Sequence, residues 1–282
     1  MVNLLNGEIS FSFFEKIVIF LQKTAERPKP YGFFHILFVF LVFAITVFLC
    51  LFCSKITEKK FRLVIAIVWI GLVVFELYKQ IICSFNPETG EWDYIWSHFP
   101  FQFCSAPLYI FPFLAFFKDG NFRDGVITFT ATFIFFAGFM VYLLPQTVFL
   151  TDYLGCQIQT MVHHGTQIVF GVFVAVYYRE KLTKKNFLTA IYIFLALLII
   201  AIILNCLMHL ITEEYFNMFY VSPYYDFEIP LIGSRNEFMP IIPFICVYAS
   251  GFILAGYLVF VCMKKILNHI ENIKNTKTIK RK

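Results

Sequence analysis

The chain has 282 residues, 60% of them hydrophobic, and its mean hydropathy is +0.75. A soluble domain is nearer half apolar, so this composition excludes an ordinary soluble protein and predicts an integral membrane protein. The net charge of +5 is concentrated in loops and at the C-terminus, which is typical of a topology signal and not of a nucleic-acid-binding surface.

The first thirty residues are predicted to form an interfacial segment. Ser12–Leu21 has an amphipathic pattern, which favours a helix lying at the membrane surface before the first span. Glu8, Glu15 and Glu26 interrupt the apolar positions, and no small-residue cleavage site follows, so we do not expect a secretory signal peptide.

Seven apolar stretches follow, each near the roughly 20 residues that a membrane-spanning helix needs. The predicted fold is therefore an all-α, polytopic membrane helical bundle with seven transmembrane helices. We expect one membrane domain over residues 31–263 and a basic cytoplasmic tail over 264–282. The spans are 31–53, 62–84, 99–117, 125–150, 156–178, 187–210 and 239–263.

The loops predict the orientation of these spans. Loops 54–62 and 179–185 and the tail are rich in Lys and Arg, whereas loops 85–98 and 151–155 are poor in them. Because cytoplasmic loops carry the excess of Lys and Arg, we expect an external N-terminus, a cytoplasmic C-terminus and a location in the cell membrane. The basic residues of the N-terminal segment disagree with this orientation.

Polar side chains recur at one depth in four spans. With a rise of about 1.5 Å per residue, Cys104 lies roughly 8 Å and His164 roughly 12 Å below the outer starts of their spans. Asn205 lies roughly 9 Å and Gln146 about 6 Å below the outer ends of theirs. Polar groups are costly against lipid, so we expect them to line a pocket in the outer half of the bilayer.

The fifth span has the clearest pattern. Thr160, His164 and Gln167 follow helical spacing and share one face, and His163 lies on an adjacent polar stripe. On the sixth span, Asn205 and His209 are four residues apart and share a face. At the start of the third span, Gln102 and Cys104 would point apart in a helix but share a side in an extended entry, and both arrangements stay open.

Two chemistries fit this cluster. A Cys thiol with a His base can perform covalent acyl transfer, because the imidazole takes the thiol proton and later returns it to the leaving group. Alternatively, Cys104, one of the adjacent histidines and His209 could bind Zn²⁺. Adjacent histidines on one helix diverge by about 100°, which favours the first chemistry. The eight cysteines occur singly, so no disulfide framework is expected.

Four motifs resemble those of the YwaF family of bacterial integral membrane proteins, over about residues 60–260. They are Pro100-x-Gln102-x-Cys104, Leu143-Leu144-Pro145, His163-His164-Gly165, and Asn205 followed by the aromatic run 215–220. The family is similar, distantly, to eukaryotic multi-span phospholipid acyltransferases that use a membrane Cys and a His. That resemblance implies a nucleophilic Cys104 with His164, or else His163, as its base.

The leading hypothesis is a cofactor-independent lipid acyltransferase or hydrolase that acts on membrane lipid. A non-enzymatic binder or transporter is the alternative, and an intramembrane zinc hydrolase is third. No metal and no nucleic acid are assigned in the leading hypothesis. The catalytic residues would be Cys104, His164 and His163, and the substrate-binding residues Gln102, Gln146, Gln167, Asn205, His209 and Asn217.

Overall fold

The computed structural model describes residues 10–226, 228–229 and 233–279, and 76% of the chain is helical. The predicted helical class is confirmed. The helices are α1 (Phe13–Leu21), α2 (Phe33–Phe52), α3 (Glu58–Ser84), α4 (Ala106–Phe116), α5 (Asn121–Phe129), α6 (Phe135–Leu143), α7 (Leu154–Tyr177), α8 (Lys184–His209), α9 (Arg235–Phe238) and α10 (Ile241–Ile279). Two minimal antiparallel hairpins pair β1 (Phe85–Asn86) with β2 (Glu91–Trp92) and β3 (Glu228–Ile229) with β4 (Gly233–Ser234).

Five of the described helices are long and apolar enough to cross a membrane: Phe33–Lys55, Glu58–Ser84, Asn121–Leu143, Lys184–His209 and Ile241–Ile273. The other two predicted spans coincide with helices that differ from this pattern. The third contains the short apolar helix Phe103–Phe116, and the fifth coincides with α7, whose buried face carries Gln and His side chains. The count of seven spans and their orientation stay predictions.

The run Asn121–Leu143 is not a regular helix throughout. A π-helical stretch, Thr130–Ile134, separates α5 from α6 in the interior of the bundle. Three buried hydroxyls donate to the carbonyl four residues earlier, from Thr128 to Asp124, from Thr130 to Val126 and from Thr132 to Thr128. Such back-bonding lets polar side chains lie in an apolar interior, because each hydroxyl finds an acceptor on its own helix.

Glycines allow α6 and α7 to approach closely. A Cβ atom at Gly138 would lie 2.6 Å from the His164 carbonyl oxygen and 2.6 Å from Gln167 Cβ. A Cβ atom at Gly171 would lie 2.5 Å from Phe135 Cβ. Small residues at a helix interface are a common device of membrane bundles, because they let backbones pack against each other.

A buried cation ties together the end of the bundle opposite the N-terminal segment. Arg123 is 2% exposed and donates to Glu58, Asp119, Tyr178 and the Leu114 carbonyl. These contacts join the loops at 54–58, 117–120 and 178–183. Because every partner is an oxygen acceptor within hydrogen-bonding distance, the guanidinium is paired despite its burial.

The N-terminal residues cover the other end of the bundle. Helix α1 begins with a capping box between Ser12 and Glu15, and its position in the membrane interface stays a prediction. Residues 22–27, the N-terminal strap, then cross the ends of α3 and α7. Gln22 Nε2 donates to the carbonyls of Ile82 at 2.9 Å and Phe85 at 2.7 Å.

The strap also pairs with the loop before α7. The Ala25 amide donates to the Asp152 carbonyl at 2.8 Å. Arg27 holds the Asp152 carboxylate through two hydrogen bonds of 2.7 and 2.9 Å. Residues 1–9 of the predicted interfacial segment lie outside the described residues.

The C-terminal helix is longer than a membrane is thick. At about 1.5 Å per residue, the 39 residues of α10 extend about 58 Å, against about 40–45 Å for a whole bilayer. The predicted basic tail therefore continues the last span as a helix as far as residue 279, and residues 280–282 lie outside the described range.

Candidate functional site

The Cys104 segment enters the bundle through an extended residue, Gln102, followed by a short 3₁₀ turn. Gln102 has φ −69° and ψ 158°, residues Phe103–Ser105 form a single 3₁₀ turn, and α4 begins at Ala106 with Pro107 in its first turn. Proline suits the start of a helix because its missing N–H is not needed there. Gln102 is extended and Cys104 lies in the 3₁₀ turn, so the entry is neither the α-helix nor the fully extended segment that the sequence left open.

Two side chains of α7 bind the main chain of Cys104. His163 Nε2 lies 2.9 Å from the Cys104 carbonyl oxygen, and Gln167 Nε2 donates to the same oxygen at 2.6 Å. The two residues are four apart and share a helical face. His163 is 4% and Gln167 0% exposed, so α7 holds the Cys104 peptide from inside the bundle.

The hydrogen bonds of the two histidines indicate their tautomers. A carbonyl can only accept, so Nε2 of His163 carries the proton in the bond to Cys104. His164 Nδ1 lies 2.7 Å from the Thr160 carbonyl and by the same reasoning carries its proton. Among the described residues, the other ring nitrogens, Nδ1 of His163 and Nε2 of His164, are buried without a hydrogen-bond partner. Each ring therefore keeps a lone pair that can accept a proton.

Three of the predicted substrate-binding amides hold the segment 217–222. Gln102 bonds in both directions, donating to the Asn217 carbonyl at 2.8 Å and accepting from the Phe219 amide at 2.9 Å. Asn205 does the same with the main chain of Met218, at 3.0 and 2.7 Å. Asn217 accepts from the Ser222 amide at 2.9 Å. Their polar atoms are thus engaged in positioning this segment.

The positioned segment is strained beside Cys104. Phe219 and Tyr220 both have φ of 57°, a left-handed conformation that costs bulky residues free energy and persists only where the surroundings enforce it. Gln102 and Asn205 each make two hydrogen bonds to the main chain of residues 217–219, and these bonds hold the segment in this conformation. Phe219 packs against Phe103, the residue before Cys104, with ring centroids 5.5 Å apart.

Two predicted site residues, Gln146 and His209, lie away from Cys104 and the two histidines of α7. Gln146 is exposed in the short turn Pro145–Thr147 after α6. His209 is exposed in the last turn of α8, where its ring stacks on Tyr224 with centroids 3.7 Å apart. No hydrogen bond or ring contact found among the described residues joins either side chain to Cys104, His163 or His164.

Sequence reasoning missed a charged pair that lies against the site. Glu76, which is 5% exposed, forms an ion pair of 2.6 Å with Lys79 on α3. Gln80 donates to Glu76 at 2.6 Å, and Gln159 of α7 does so at 3.4 Å. The Gln159 contact joins this pair to α7, the helix that carries His163. Glu76 and Lys79 both fall within the predicted span 62–84, where ionisable side chains are costly in lipid. Their position in that span was the signal that could have identified them.

Two spaces lie near this network. A shallow groove of about 340 Å³ lies at the C-terminal end of α3, between Gln80 and Ser84 on one side and Trp92 and Tyr94 on the other. A smaller gap beside the Cys104 turn is lined by residues that include Gln102, Ala106 and Phe219. In the described part of the chain, no group of three or more His, Cys, Asp or Glu side chains comes close enough together to hold a metal ion. The described residues therefore offer no group of ligands for the zinc ion of the third hypothesis.

Comparison with known proteins gives one match. Neither the curated proteins nor the solved structures contain a match to the chain. Residues 30–264, most of the chain and all of the predicted spans, match the TMEM164 family. The chain therefore belongs to the TMEM164 family, a family of multi-pass membrane proteins.

Proposed function

We propose that this membrane protein is a lipid acyltransferase or hydrolase, with Cys104 as the nucleophile and His163 or His164 as the general base. One observation carries the proposal. The Cys104 peptide is held by His163 and Gln167, at 2.9 and 2.6 Å, beside two buried imidazoles that each keep one ring nitrogen without a partner among the described residues. His163 is thereby held against the Cys104 main chain, and covalent acyl transfer would require one of the two imidazoles to take the proton of the Cys104 thiol.

The reaction would proceed in two steps. The imidazole takes the Cys104 proton, the sulfur attacks the ester carbonyl of a phospholipid, and the C–O bond breaks as the imidazolium returns the proton to the leaving alkoxide. A thioester remains. In the second step an acceptor hydroxyl, or water in a hydrolase, gives its proton to the imidazole and attacks the thioester, and the thiol is reprotonated as it leaves.

The surroundings of Cys104 favour a membrane lipid as substrate. Cys104 is only half-buried, and the helices around the site carry many exposed apolar side chains that lipid chains would cover. Gln102 and Asn205 act by positioning the 217–222 segment over the nucleophile.

Purified protein in liposomes, supplied with phospholipids carrying a labelled acyl chain and with or without a lysophospholipid acceptor, tests this function. Cys104→Ser is expected to abolish both acyl transfer and acyl release. Cys206→Ser, a half-buried cysteine on α8, is the matched control and should stay active. A fully active Cys104→Ser variant would eliminate covalent catalysis at this position.

The two histidines can be separated by His163→Gln and His164→Asn. The Gln amide nitrogen takes the place of Nε2 and the Asn amide nitrogen that of Nδ1, so each can still donate to the carbonyl that the ring binds but cannot serve as a base. The base should therefore lose about 10²–10⁴-fold in rate while the other position stays within a few-fold. Activity lost to a chelator would favour the zinc hydrolase. No turnover of any phospholipid class would favour the binder or transporter.

We also propose that the chain crosses the cell membrane seven times, with its N-terminus outside. The hydrogen bonds support this arrangement, because they gather the strap, the 85–98 loop and the start of α7 at one end and the basic loops at the other. Glu91 and Lys184 are both exposed, one at each end. In intact cells, an impermeant thiol reagent should label Glu91→Cys and not Lys184→Cys, and the reverse pattern would refute the orientation.

A further inference from the structure

Two cysteines from different helices meet at the outer end of the bundle. Cys83 is in the last turn of α3 and Cys156 in the first turn of α7. Their sulfur atoms are 3.9 Å apart, although the residues are 73 positions apart in the sequence. A disulfide bond needs about 2.05 Å between sulfurs, a gap that small side-chain rotations on two adjacent helix ends can close.

We propose that Cys83 and Cys156 are a redox modification site, at which a disulfide bond staples α3 to α7. The two thiols differ in their exposure, which sets the order in which an external oxidant reaches them. Cys83 is half-buried, whereas Cys156 is 2% exposed and packs with Val18, Ile82 and Phe85 beneath helix α1. An external oxidant reaches Cys83 first, and Cys156 is then the neighbouring thiol that resolves the intermediate.

The oxidant would be a small-molecule disulfide. The Cys83 sulfur attacks it, forming a mixed disulfide and releasing one thiol. The Cys156 sulfur then attacks the Cys83 sulfur, breaks the mixed disulfide and releases the second thiol. The two cysteine protons end on the released thiols, so two cysteines are oxidised and one external disulfide is reduced.

The staple would act on the candidate site because of helical register. Seven residues make about two turns, so Cys83 shares a face of α3 with Glu76, and Cys156 shares a face of α7 with His163. A bond between the outer pair fixes the spacing of the two faces, which a hydrogen bond of 3.4 Å from Gln159 of α7 to Glu76 of α3 also joins, and His163 lies about 10 Å deeper than Cys156 on α7. In the proposed orientation this end lies outside the cell, where disulfides persist.

The test uses purified full-length protein in detergent, incubated with oxidised or reduced glutathione and then alkylated with a polyethylene-glycol maleimide after denaturation. Wild type has eight thiols, and oxidation is expected to remove two from the maleimide count. Peptic peptides should then contain Cys83 joined to Cys156, and dithiothreitol should release them. Pepsin is preferred because a tryptic peptide would hold both Cys83 and Cys104.

Two variants distinguish this site from general thiol oxidation. Cys83→Ser should lose the linked peptides and keep its remaining thiols, whereas Cys206→Ser should still form the link. Oxidised wild type should also unfold at a higher temperature than the reduced protein, a difference that Cys83→Ser should lack. The proposal is overturned if both cysteines are alkylated in full after oxidation, or if wild type and Cys83→Ser lose the same number of thiols. None of these readouts depends on lipid turnover.

Discussion

Replacing Asn205 with alanine is expected to lower the free energy of unfolding by about 2–4 kcal/mol. Asn205 is 0% exposed, and its amide meets both polar groups of Met218, accepting from the N–H at 2.7 Å and donating to the C=O at 3.0 Å. Alanine removes both partners at once. The Met218 main chain would then be left unsatisfied in a buried position.

The magnitude follows from counting those groups. A buried donor or acceptor that loses its partner costs about 1–3 kcal/mol, which gives about 2–6 kcal/mol for two. Hydrogen bonds measured in membrane proteins are weaker on average, about 0.6 kcal/mol, because the unfolded chain in the membrane also finds partners. The lower half of the range is therefore expected.

Unfolding in mixed detergent micelles, followed by circular dichroism as the denaturing detergent increases, measures this free energy. The neighbouring Cys206→Ala is the control and should cost less, because Cys206 is half-buried. Asn205→Asp should also be destabilised, since a carboxylate in this buried position is costly and would face the Met218 carbonyl with an oxygen that cannot donate. If Asn205→Ala is as stable as Cys206→Ala, Asn205 does not hold the 217–222 segment and is again a candidate for direct substrate contact.

Gly138→Ala is expected to destabilise the bundle by about 1–3 kcal/mol through overpacking, because its new methyl would lie 2.6 Å from Gln167 Cβ. Gly71→Ala, where nothing lies within 4 Å, should be neutral or slightly stabilising, and equal effects in the micelle unfolding assay would contradict the packing argument. The strap should show a pH dependence, since the hydrogen bonds from Arg27 hold the pKa of Asp152 below its ordinary value. The pair then stabilises the strap above the ordinary carboxyl range and is lost as the pH falls through the lowered pKa. The protection factors for hydrogen exchange at residues 22–27, which compare each rate with the intrinsic rate at the same pH, should therefore fall only below about pH 4. In Arg27→Gln they should already be lower at neutral pH.

Much of the fold class follows from composition and periodicity alone. Long apolar stretches predict helices that span a membrane, because an unpaired backbone cannot lie in lipid. The polar stripe of α7 could be read from its spacing, and the structure buries His163, His164 and Gln167 as that spacing requires. Signals of this kind depend only on helical geometry, so they can be read from the sequence without knowing which helices are neighbours.

Helical spacing does not predict which groups the polar side chains of the site bind. Gln102, Asn205 and Asn217 were predicted to contact a substrate, yet their amides bind the main chain of 217–222. An amide in a span needs a partner, but the sequence does not say whether that partner is a ligand or a loop. In the structure the partner is the main chain of residues 217–222.

The sequence by itself determined that this is a helical membrane protein and that polar groups of α7 point inward, because lipid penalises any other arrangement. The tertiary structure decided that α7 binds the Cys104 carbonyl, that Glu76 of α3 accepts from Gln159 of α7, and that Cys83 meets Cys156. The physical reason is distance along the chain. Contacts between residues 59, 63 or 73 positions apart depend on how helices pack, and no local period encodes which helices become neighbours.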